Sequence, residues 1–134
     1  MERPRSSVSS GTPWEQTYGY TRAVRIGSLI EVSGTVAADG STVFAPGDAG
    51  EQTLFILKKI EKALDALGAS LQHVVRTRMY VTDMTHSDAV GRAHGKVFGN
   101  IRPATTMVAV KALIAPEFLV EIEATAWVGD VPQM

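Results

Sequence analysis

The sequence predicts a single α+β domain: a mixed sheet with two helices packed on one of its faces. Three observations carry that expectation. Apolar residues recur at helical spacing in two segments, at 49–67 and 87–98. Five other segments are β-branched or alternate with the two-residue period of strands. These segments follow one another in the order ββ(β)αβαββ, with no internal repeat and no linker between them. The 134 residues are 45% hydrophobic and 20% charged, a globular composition rather than a disordered or collagen-like one.

Residues 1–16 hold Pro4, Pro13 and the runs Ser6-Ser7 and Ser9-Ser10-Gly11, so a flexible N-terminal arm outside the core is expected, followed by one domain over 17–130. Tyr20 to Ile26 and Leu29 to Gly34 are extended runs flanking Gly27-Ser28, the pattern of a two-residue hairpin. Residues 35–47 carry turn residues around a short apolar piece, which predicts a loop with a minor strand at 42–44. Asp48, with Glu51 three residues on, has the form of a helix N-cap with an acid reaching back. Leu57, Ile60, Leu64 and Leu67 then recur at 3-4-3 spacing before the stop at Gly68. Residues 72–82 form the next strand, and a second helix runs from Ser87 to Phe98 with Ala89, Val90, Ala93, Val97 and Phe98 on its apolar side. Thr105 to Leu113 and Leu119 to Val128 complete the sheet.

Strand alternation separates two faces. Val75, Thr77, Met79 and Val81, with Val120, Ile122, Ala124 and Ala126, are expected to face the helices. Arg76, Arg78 and Tyr80, with Glu121, Glu123, Thr125 and Trp127, occupy the other side. Acids and arginines at period two beside a tryptophan predict a face covered by another copy of the chain; the alternative is a solvated face with surface ion pairs.

Composition also limits function. A formal net charge of −1, from thirteen Lys+Arg and fourteen Asp+Glu, provides no broad positive field, and no nucleic-acid partner is expected. The absence of cysteine excludes disulfides, thiolate metal sites and a thiol nucleophile. The first residues lack a signal-peptide apolar core and no apolar run approaches the ~20 residues of a membrane span, so a soluble cytoplasmic protein without a membrane partner is expected. Phosphate-loop, dinucleotide, zincin and hydrolase-elbow motifs are absent. His73, His86 and His94 form no i,i+4 pair with a carboxylate, so no metal and no cofactor is expected. His94 is either a helix-surface or interface histidine or a general acid/base.

Arg102-Pro103-Ala104 followed by a strand, and then Val120-Glu121-Ile122-Glu123-Ala124, resembles the C-terminal signature of the Rid (reactive intermediate deaminase, YjgF-type) family. Tyr20-Thr21-Arg22-Ala23-Val24 is similar to that family's Tyr-Ser-Gln-Ala-Val segment, and Val32-Ser33-Gly34-Thr35 to its Val-Ser-Gly-Gln. Gln52-Thr53 and Tyr80-Val81-Thr82-Asp83-Met84 also match, so the resemblance covers 17–128. It implies a chorismate-mutase-like α+β fold, a homotrimer, and a small-molecule ligand in each intersubunit cleft. In deaminating members an arginine directly after the Pro-Ala pair binds the substrate carboxylate, and a glutamate on the last strand orients the water that hydrolyses an imine.

On this chain that glutamate falls on Glu121, but the arginine position is Thr105, the helix-two asparagine is Gly91 and the frequent cysteine is Met107. Tyr20, Ser33 and Gly34 keep the family residue types at their positions. A hydroxyl cannot supply the charge-assisted fork of a guanidinium. Arg102 and Arg22 are the candidates to replace it, against helix capping for Arg102 and a surface or interface ion pair for Arg22. Glu121 is the expected catalytic residue, or else an ion-pair partner of Arg76 or Arg78; Tyr20 is a cleft wall or an interface packing residue. Three functions follow: an enamine or imine deaminase or related hydrolase whose substrate need not carry a 2-imino carboxylate, a non-catalytic small-molecule-binding trimer, and an endoribonuclease, which the charge balance opposes.

Overall fold

In the computed structural model, which describes residues 4–129, the hairpin expected around Gly27 forms from β2 (Ala23–Ile26) and β3 (Leu29–Thr35). Gly27 has φ +57°, in the region that glycine enters without steric cost. β1 (Arg5–Val8) pairs with β2, and α1 (Pro13–Tyr18) connects them. A short pair, β4 (Ala38–Asp39) and β5 (Thr42–Val43), precedes the long helix α2 (Ala49–Ala66). Then come β6 (Val74–Val81), α3 (Ser87–Phe98), β7 (Ala104–Ala109) and β8 (Val120–Trp127). The main sheet has the order β1-β2-β3-β8-β6-β7; β6 and β7 are parallel and the other neighbours antiparallel.

α2 begins where its cap predicts: Asp48 Oδ1 accepts from the Glu51 backbone N–H at 3.0 Å. Its stripe is buried on the sheet, with Leu57, Ile60 and Leu64 at no more than 1% exposure. The Arg25 side chain closes the other end by donating from Nη1 to Leu67 O at 2.6 Å, a cation on the negative end of the helix. The core is continuous between α2, α3 and the inner side of β3, β8 and β6, through Ile30, Val32, Ile122, Ala124, Met79 and Val90. Buried Gln52 ties α2 to the loop before β8: its Nε2 donates to Glu117 O at 3.0 Å and its Oε1 accepts from Leu119 N–H at 2.9 Å. Among the described residues no helix is long and apolar enough to cross a membrane.

Four expectations are corrected. The segment expected as a loose arm over 1–16 contains a strand and part of a helix. β1 gains its ladder from β2, while Glu15, buried at the start of α1, accepts from the Ser10 N–H and hydroxyl. Val75 is exposed and Val74 is buried, because the register between β6 and β8 shifts at Val74–Arg76 and a bulge reverses the alternation there. Ala89 is exposed, and His94 joins Val90, Ala93 and Phe98 on the buried side of α3. β7 stops at Ala109 rather than Leu113: its only neighbour among the described residues, β6, ends at Val81, and Val110 N–H makes the last bond, to Val81 O.

Candidate functional site

The outer face of the sheet carries the first group of candidate residues. Glu121 on β8 pairs with Tyr80 on β6, and Glu123 with Arg78, so these side chains share the side away from the helices. Arg78 Nε lies 3.7 Å from Glu123 Oε1, and the Tyr80 hydroxyl donates to the same oxygen at 2.8 Å. That hydrogen bond is the main reason the phenol is held above its ordinary pKa, with burial and the carboxylate charge adding to it. A depression of about 390 Å³ opens beside this network, with Tyr20, Glu31, Ser33, Arg78 and Glu123 among its lining residues.

Glu121 lies next to this depression, against the Gly34 backbone. β3 and β8 shift register between Val32 and Thr35, and at that irregularity a Cβ on Gly34 would overlap Glu121 Oε2. Glycine is therefore what allows the carboxyl to sit there. Burial pushes the Glu121 carboxyl above the usual range, the Arg22 guanidinium opposes this, and Glu123 adds to the rise. Arg22 is turned inward: its Nη1 donates to Gly34 O at 2.9 Å and to Thr35 Oγ1 at 3.1 Å. Its guanidinium carbon is 6.0 Å from the Tyr20 ring centroid. No ion pair ties Glu121 to Arg76 or Arg78 among the described residues; Arg76 donates instead to Thr106 Oγ1 at 2.6 Å. Ser33 is structural in part, since its hydroxyl donates to Thr21 O at 2.6 Å.

The second group lies elsewhere. Thr105 and Met107 are on the edge strand β7, opposite Thr77 and Met79. Met107 packs against the core beneath the helices. Thr77, buried on the helix side, has its hydroxyl 2.9 Å from His94 Nε2 and donates to Thr105 Oγ1 at 2.7 Å. Burial lowers the His94 pKa, with no charged group contributing. Gly91, one turn before His94 on α3, has open space where a side chain would project. Arg102 has φ +58°, and its backbone N–H bonds Phe98 O at 2.8 Å, so its backbone closes α3 while its side chain is exposed. Within one chain Tyr20, Ser33, Gly34 and Glu121 converge, whereas Thr105 and Met107 lie on β7, Arg102 closes the end of α3 and Gly91 stands in the first half of that helix.

Sequence reasoning missed the His94–Thr77 contact and the inward course of Arg22. The first had a signal: a threonine among Val, Met and Ile on a helix-facing strand must find a hydrogen-bond partner, and a helix histidine is one that the fold can supply. The second had none, because the bulge that turns Gly34 O toward Arg22 is a property of strand pairing. Among the described residues no group of His, Asp and Glu is placed to hold a metal ion.

A two-layer α+β fold with polar side chains on an uncovered sheet face, one of them a carboxyl seated on a glycine, defines the class. A family model described as Endoribonuclease L-PSP matches residues 13–128, and the chain belongs to that family, the YjgF/Rid family. It is 38% identical over 124 residues to the protein SCO2049 of Streptomyces coelicolor, covering 92% of each chain. The crystal structure of Rv2704 from Mycobacterium tuberculosis, a member of the YjgF/YER057c/UK114 family, superposes with a TM-score of 0.85 at 50% identity, over 93% of this chain and 100% of that one. The Rid family protein YyfA from Yersinia pestis matches with a TM-score of 0.81 at 26% identity, over 93% and 100% of the two chains.

Proposed function

We propose that this protein is a cytoplasmic homotrimer that hydrolyses the C=N bond of a small imine, or of the enamine in equilibrium with it, in clefts completed by a second copy of the chain. The observation that carries the reading is Glu121, a half-buried carboxyl raised by burial, held against Gly34 beside the Arg22 guanidinium. Such a carboxyl takes a proton from water more readily than an exposed one. Water attacks the imine carbon as Glu121 accepts its proton and passes it to nitrogen, giving a carbinolamine; Glu121 then carries the remaining hydroxyl proton to nitrogen as the C=O bond forms and the C–N bond breaks, and ammonia and a carbonyl compound leave. Tyr20 and Ser33 wall this half of the cleft, and Thr105, Met107, Gly91 and Arg102 of a neighbouring copy provide the other. The exposed Leu29, Val108 and Trp127 on the uncovered face support the assembly.

With Thr105 in place of a guanidinium, a neutral substrate fits better than a 2-imino carboxylate. The test is ammonia release from 2-aminoacrylamide and from 2-iminobutyrate, each generated in situ, above the uncatalysed rate. The neutral compound is expected to be the better substrate, and Glu121→Gln to abolish its turnover. Equal turnover by Glu121→Gln refutes the role of Glu121, and brisk turnover of 2-iminobutyrate refutes the substrate class. Occupancy without ammonia release from any compound would instead identify a small-molecule-binding trimer. Ribonuclease action is disfavoured by the net charge of −1.

A further inference from the structure

We propose that His94, Thr77 and Thr105 form a relay of hydrogen bonds that presents the Thr105 hydroxyl as a donor to a neutral carbonyl oxygen of the ligand, with His94 and Thr77 as positioning residues. The inference rests on the reading of a small-molecule cleft and gives that cleft a specificity.

The imidazole is buried and tilted by 38° against the Phe98 ring, with centroids 4.7 Å apart, and its Nε2 is 2.9 Å from Thr77 Oγ1. The Thr77 hydroxyl is itself fully buried and spends its one proton on Thr105 Oγ1 at 2.7 Å. In the relay it accepts from His94, an arrangement that takes the Nε2–H tautomer. Thr105 Oγ1 receives the Thr77 proton, and its own proton has no acceptor among the described residues. Thr105 lies on β7, the edge strand of the sheet, and is exposed. The relay thus begins inside the core and ends on a hydroxyl whose free function is donation outward.

Each link polarises the next, so the terminal hydroxyl is a better donor than an isolated threonine. No side chain in the relay hydrogen-bonds to a charged one among the described residues, and only burial acts on the histidine. A carboxylate seated on the Thr105 hydroxyl alone would be desolvated without a cation from the relay to pair it. An amide or ketone oxygen asks only for the donor that the relay supplies.

Pyruvamide and pyruvate share a 2-oxo skeleton and differ in charge, and neither is turned over. Binding of each to the full chain is followed by NMR titration. Pyruvamide is expected to bind about tenfold more tightly than pyruvate, a difference of about 1.4 kcal/mol. Thr105→Val and Thr77→Val are each expected to remove that preference, and Thr77→Ser, which keeps the hydroxyl, to restore it. A general packing role for Thr77 would weaken both ligands together and leave their ratio unchanged. The ring-nitrogen shifts of His94 should report the neutral Nε2–H form. Equal affinity for the two probes, no binding of either, a preference that survives Thr77→Val, or the Nδ1–H tautomer would each overturn the proposal. Glu121→Gln separates it from the proposed hydrolysis: loss of ammonia release with an unchanged probe ratio concerns Glu121 alone, and loss of the ratio in Thr77→Val with hydrolysis retained concerns the relay alone.

Discussion

Replacing Gly34 by alanine tests whether the seat of Glu121 is functional. The backbone at Gly34 is outside the left-handed region, so alanine is compatible with its conformation. The new methyl would overlap Glu121 Oε2 and lie 3.0 Å from Cδ, and both atoms belong to the far end of a flexible side chain. The carboxyl moves, rather than the strand. Holding a side chain away from its preferred rotamer costs about 0.5–1.5 kcal/mol. Against this, alanine restricts the unfolded chain more than glycine does, a gain of about 0.4–1 kcal/mol. The two nearly cancel, so stability should change by no more than about 1 kcal/mol and Tm by no more than about 5 °C. The Glu121 carboxyl, swung toward solvent, loses the burial that raises its pKa, which should fall back toward the ordinary value. Carboxyl-detected NMR titration measures that fall, calorimetry the Tm, and ammonia release the consequence, which should be a loss close to that of Glu121→Gln. An unchanged Glu121 pKa with full turnover would refute the reasoning, and a Tm drop well beyond 5 °C would show that the backbone moves instead.

Leu64→Ala should cost about 2–5 kcal/mol in denaturant unfolding, since Leu64 is wholly buried on α2, whereas exposed Lys62→Ala should cost little; equal small losses would contradict the packing of that face. Because burial places the folded pKa of Glu121 above 4.5, the folded state binds its proton more readily than the unfolded state, and stability is lost as pH rises from 4.5 through the folded value. Glu121→Gln should therefore melt higher than wild type at neutral pH, with the gap closing in acid; a scan of Tm against pH that shows no gap would refute the burial of that charge. Trp127→Glu, at a position 56% exposed and paired with Leu29, should weaken self-association in sedimentation by placing a charge on the face proposed to meet another copy; unchanged sedimentation would exclude Trp127 from the contact.

The local elements were legible because their causes are local. The 3-4-3 stripe from Leu57 to Leu67, the Asp48 cap and Gly68 at φ +80° each act within one or two turns of chain, and α2 follows from them. The separation of Glu121, Glu123 and Trp127 from Val120, Ile122 and Ala124 needed only the two-residue period of a strand. Tertiary structure decided what depends on which strands become neighbours. The pairing of β1 with β2 orders a segment whose composition alone predicts looseness, because its hydrogen bonds are supplied from elsewhere in the chain. The bulge at Val74–Arg76 exposes Val75, and the irregularity at Ser33–Gly34 opens a seat for Glu121; neither register shift is encoded in periodicity. The parallel pairing of β7 with β6 aligns Thr105 with Thr77, and the packing of α3 brings His94 to the same hydroxyl. Twenty-eight residues separate the two threonines, and seventeen separate Thr77 from His94. The residue types were present in the sequence, but hydrogen bonding requires approach within about 3 Å, and only the folded sheet sets such distances.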